Sequence, residues 1–90
     1  MVNVITLEKL TEEQQEIFNG IRTKIGLEIA RCDLKPGKSA FIRIELPMLK
    51  TREDPIAPHL EKEYSVNGSQ AEAHYNQESK HQELYLIYRA

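Results

Sequence analysis

The chain has 90 residues, of which 40% are hydrophobic and 29% charged, with a formal net charge of −2. That is enough chain for one ordinary globular domain and too little for a multi-domain enzyme. One cysteine, Cys32, excludes a disulfide framework, and the longest apolar run, Leu84 to Tyr88, falls far short of the roughly 20 residues a membrane helix needs.

The N-terminus has no basic leader ahead of an apolar run, so the expected compartment is the cytoplasm. Charge is unevenly distributed. Residues 22–52 hold eight lysines and arginines against three acids, while both flanks are acidic. Such a basic segment is either a footprint for an acidic partner or is paired within the fold.

In chain order, Val2 to Leu7 is rich in β-branched residues and predicts a short strand. Thr11-Glu12-Glu13-Gln14 then predicts a helix start, because Thr11 and Gln14 can form a capping box and the two glutamates suit the positive end of the helix dipole. Ile17, Phe18, Ile21 and Ile25 follow at helical spacing and form one apolar stripe. Gly20 and Gly26 weaken a helix, which predicts an end near residue 26. Leu27 to Leu34 fits either a continued helix or a strand; the Pro36-Gly37 turn favours a hairpin. Phe41 to Leu46 alternates, with Ile42, Ile44 and Leu46 facing one way and Arg43 and Glu45 the other.

Pro47, Pro55 and Pro58 predict a long loop at about 47–59, and long ordered loops are common binding sites. Asn67-Gly68 predicts a type I′ turn joining strands at 60–66 and 69–75. A helix over 70–83 is the competing reading, since Ser69 to Glu72 also fits a capping box. Leu84 to Tyr88 is apolar at both parities and predicts a strand covered on both faces. The expected fold is therefore α+β: one amphipathic N-terminal helix on a small antiparallel sheet of about four to six strands, in a single domain over 1–90. Its core is expected to use the helix stripe with Ile42, Ile44, Leu46, Leu84, Leu86 and Ile87.

No motif specifies catalysis, a cofactor or a metal. Gly37-Lys38-Ser39 ends like a phosphate loop, but Cys32 stands where that loop needs its first glycine. Cys32 reads as a packed structural residue. His74, Glu78 and His81 would share a face only on a helix. The functional expectation is a small non-enzymatic protein-binding module that regulates or inhibits a protein partner. Tyr64, Tyr75, Tyr85 and Tyr88 are the candidate interface, since tyrosine joins apolar area to a polar tip. The alternative is a nucleic-acid binder using Arg31, Lys35, Lys38, Arg43, Lys50 and Arg52. A third reading is a small metal-binding protein or hydrolase built on His74 and nearby carboxylates. No membrane partner is expected. A homodimer through an uncovered sheet edge is a further possibility.

Overall fold

A computed structural model of the chain describes residues 9–90. The strand expected at Val2 to Leu7 lies outside the described residues. Helix α1 spans Glu12–Cys32, strand β1 Ser39–Leu46, helix α2 Ile56–Tyr64, strand β2 Gln70–Asn76 and strand β3 His81–Arg89.

The α1 start follows the sequence signal. The Gln14 amide donates to Thr11 Oγ1 at 3.2 Å, and the Thr11 amide donates to Gln14 Oε1 at 2.9 Å. Replacing Thr11 with alanine removes one of these caps and is expected to lower stability by about 1 kcal/mol, read as a shift of the urea midpoint. The helix does not end near residue 26, and 27–33 is not a strand. Gly20 and Gly26 cost about 1 kcal/mol each, but the stripe continues past them. Ile21 and Ile25 are buried, and half-buried Ile29 packs on the same core. Asp33, in the left-handed conformation at φ 46°, ends the helix. Lys38 N–H then bonds Lys35 O across Pro36 and Gly37, with Gly37 at φ +84° as the turn requires.

α2 replaces both the second half of the expected loop and the expected strand at 60–66. Asp54 starts it: its Oδ1 accepts from the Ile56 amide at 2.9 Å and its carbonyl from the Ala57 amide at 3.2 Å. Pro58 is tolerated because the first helical turn has no use for its missing N–H. Ile56, Ala57, Leu60 and Tyr64 turn one side toward the core at helical spacing. The Asn67-Gly68 turn is present, with both φ values positive, but it joins α2 to β2.

The described residues form one three-stranded antiparallel sheet in the order β1-β3-β2, not four to six strands. Both helices cover the same face. Ile21, Ile25, Ile56 and Leu60 pack there on Ile42, Ile44, Leu46, Ala71, Leu84 and Leu86. Leu10 and Leu49 complete the core, and neither was expected there. Conversely, Ile17 and Phe18 are only partly buried, and Ile87 points away from the core at 45% exposure. Among the described residues, β3 is thus covered on one face only. No helix among the described residues is long and apolar enough to cross a membrane.

Candidate functional site: the uncovered sheet face

The described elements cover one face of the sheet and leave the second open. Strand alternation puts Phe41, Arg43 and Glu45 of β1 on it, with Glu83, Tyr85 and Ile87 of β3 and Glu72, His74 and Asn76 of β2. Phe41 lies opposite Ile87, Arg43 opposite Tyr85, and Glu45 opposite Glu83. Phe41 is 65% exposed, the most exposed large hydrophobic side chain among the described residues. Its ring stacks on Tyr85 with centroids 5.9 Å apart, and Tyr85 meets His74 edge-on at 5.4 Å. The rings therefore form a row crossing all three strands.

Beneath this row lies a saturated polar network. Glu83 is only 1% exposed. Arg43 binds it through two bonds, Nε to Oε2 at 3.0 Å and Nη2 to Oε1 at 2.6 Å. Tyr85 donates its hydroxyl to Oε2 at 2.8 Å, and Asn76 donates Nδ2 to Oε1 at 2.8 Å. Four donors fill the acceptor capacity of one carboxylate. The same Arg43 lies 3.7 Å from Glu45, so it also relieves the cross-strand repulsion of Glu45 and Glu83. Asn76 extends the network into the β2–β3 turn by accepting from the Glu78 and Ser79 amides. The aromatic row thus sits on a braced floor that ties all three strands together.

The Arg43 guanidinium, followed by the Tyr85 hydroxyl and Asn76, holds the Glu83 carboxyl at about 2, below the ordinary 4.5. The same pair keeps Arg43 charged well above its usual range. A carboxyl whose folded value is depressed stabilises the fold fully above its unfolded value and loses that contribution as pH falls toward the folded one. The urea midpoint is therefore expected to fall as pH drops from about 4.5 to about 2. In Glu83→Gln this part of the acid dependence should vanish, while stability at neutral pH drops by about 2 kcal/mol through the loss of charged hydrogen bonds. An unchanged acid slope in that variant would contradict the network's role.

The four candidate tyrosines do not form one surface. Tyr85 alone lies on the open face. Tyr64 and Tyr88 pack against the core from the helix side, and Tyr75 lies beneath Arg52, whose guanidinium carbon is 4.7 Å from the ring centre. Phe41 was missed as a site residue, although it shares the parity of Arg43 and Glu45, the side the sequence already marks as solvent-facing. The candidate basic residues are divided as well. Arg31, Lys35 and Lys38 precede β1, whereas Lys50 and Arg52 follow it, and an eight-residue strand separates them by roughly 25 Å. Arg43, between them, is held by Glu83. Arg31 pairs with Glu28 at 2.9 Å.

Arg52 and Tyr75 belong to a cleft of about 720 Å³ between the β1–α2 loop, α2 and the end of β2, lined also by Asp54, His59, Glu61 and Gln82. Buried Gln82 shapes it by donating Nε2 to the carbonyls of Thr51 and Arg52, both at 2.9 Å. Its side chains mix both charges. Among the described residues no group of three or more His, Cys, Asp or Glu gathers to hold a metal. His74 and His81 lie on different strands, and His74 meets Glu72 at 3.2 Å. Cys32 is exposed rather than packed, its thiol donating to the Glu28 carbonyl at 3.3 Å. Comparison of the chain with protein-family models, curated proteins and solved structures finds no match.

Proposed function

We propose that this chain is a non-enzymatic protein-binding module that docks its partner on the uncovered face of the sheet. One observation carries the reading: Phe41 and Ile87, opposite each other and 65% and 45% exposed, form an apolar spot beside Tyr85 on a face that no described element covers. A large exposed apolar residue on a braced strand offers binding area at little entropic cost, because nothing need be ordered on contact. Tyr85 adds an amphipathic ring at the centre of the face, a residue type enriched at interface hot spots. Glu45, Arg43, Glu72 and His74 form a polar rim. Binding without chemistry makes such a module a regulator or inhibitor of what it binds.

One observation favours a second reading. The row Phe41, Tyr85 and His74 suits base stacking by a single-stranded nucleic acid. Against it stand the acids of the same face and the division of the basic residues between the two ends of β1. Capture from native lysate, with and without nuclease, separates the two. The protein reading predicts a bound protein that survives nuclease and is lost with Tyr85→Ala. The nucleic-acid reading predicts loss of bound material on nuclease treatment, and binding that weakens steeply with salt.

A further inference from the structure

The two edges of the sheet are treated differently. On β2 two of the outward-facing amides are sealed by side chains: Ala71 N–H donates to Ser65 Oγ at 3.0 Å and Ala73 N–H to Glu61 Oε2 at 3.1 Å. Sealing of this kind stops another strand from pairing. On β1 the ladder phase is set by Ala90 N–H bonding Lys38 O, so even-numbered residues of β1 face β3 and odd-numbered ones face outward. The N–H and C=O groups of Ser39, Phe41 and Arg43 therefore line the outer edge, and no described residue bonds them. Only Glu45 O, further along, is met, by Lys24 Nζ of α1 at 2.9 Å.

We infer that this edge receives an extended acidic segment of the protein partner, which adds as a strand beside Ser39–Arg43. The inference rests on the reading of the chain as a protein-binding module and specifies how the partner is held. Three arguments select the occupant. First, the free groups are backbone donors and acceptors at strand spacing, which an extended peptide satisfies and a helix does not. Second, α1 packs over β1 and reaches its edge through Lys24. A second copy pairing here would bring its own α1 alongside this one over strands about 4.8 Å apart, where packed helices need 8–10 Å. A bare strand fits beneath; a second copy does not. Third, the edge is flanked by Lys38 at its start and Lys24 beyond it, while Arg43 and Glu45 within it are already paired, with Glu83 and with each other. Acidic side chains on the incoming strand complement that margin. On the open face, the side chain of the added strand opposite Phe41 extends the apolar spot formed with Ile87.

The test uses the full chain and a blocked seven-residue peptide of alternating glutamate and valine. Amide exchange of Ser39, Phe41 and Arg43 is followed by NMR. In the free protein these three are expected to exchange rapidly while Ile42 and Ile44 exchange slowly. The peptide should slow the three at least tenfold. The same peptide N-methylated at alternate residues should not, and one with lysine for glutamate should bind about tenfold more weakly. Three results would overturn the inference: no slowing at millimolar peptide, equal slowing by the N-methylated peptide, or amides of Phe41 and Arg43 already protected in the free protein. Protection that disappears on dilution would identify a second copy as the occupant, and protection that disappears on deleting residues 1–8 would identify the chain's own N-terminus. If these amides stay unaffected while captured partner still depends on Tyr85, strand addition fails and the docking face stands.

Discussion

Leu86→Ala is expected to cost about 3–4 kcal/mol, whereas Ile87→Ala, one residue further on, should cost less than about 1 kcal/mol. Leu86 is fully buried at the centre of the middle strand, between Ile42 on β1 and Ala71 on β2. Truncating it removes apolar transfer energy and leaves a cavity that Ala71 is too small to fill. A domain of this size has a total stability of roughly 5–10 kcal/mol, so the variant loses a large part of it. Ile87 points to the other face and is 45% exposed. Urea unfolding followed by circular dichroism measures both. Equal losses would mean that β3 is covered on both faces, and the one-sided sheet on which the functional reading depends would fall.

Phe41→Asp should leave the urea midpoint within about 0.5 kcal/mol of wild type, as expected for an exposed position, yet weaken partner binding about 30-fold or more. A hot-spot aromatic is worth about 2 kcal/mol or more on truncation, and about 1.4 kcal/mol is tenfold in affinity. Aspartate also places a charge among Ile87 and Tyr85, where the partner would have to desolvate it. The matched control is Leu27→Asp. Leu27 is 58% exposed on α1, in the helix layer on the opposite side of the sheet. Binding that survives Phe41→Asp and fails with Leu27→Asp would move the interface to the helices.

The parts of this fold written in local signals were legible. The capping box at Thr11 and Gln14 and the alternation of Ile42, Ile44 and Leu46 appear as read, and chain turns stand at Pro36-Gly37 and Asn67-Gly68, although each joins a helix to a strand rather than two strands. The errors came where a local signal competes with burial. Gly20 and Gly26 argue against a long helix, but their propensity cost is smaller than the gain from packing Ile21, Ile25 and Ile29. Pro55 and Pro58 suggest a loop, yet proline is harmless just before a helix or in its first turn, and Asp54, ahead of Pro55, accepts from the Ile56 amide. Asn67-Gly68 fixes a turn without fixing what stands on either side of it. The site was harder to read for the same reason. Tyrosine content marked four residues that the fold sends to three places. Glu83 sat at the end of a polar stretch, and its partners, Arg43 on β1 and Asn76 on β2, come to it only through the sheet register. Arg43 looked like a candidate for an external anion, but that register gives it an internal one.

The most direct test of the docking face is hydrogen exchange by mass spectrometry on the protein alone and with its captured partner bound. The account predicts that protection appears in peptides covering 39–46 and 81–89, with little change in α1 over 12–32 or α2 over 56–64. Protection confined to the helices, with the two strands unchanged, would contradict it.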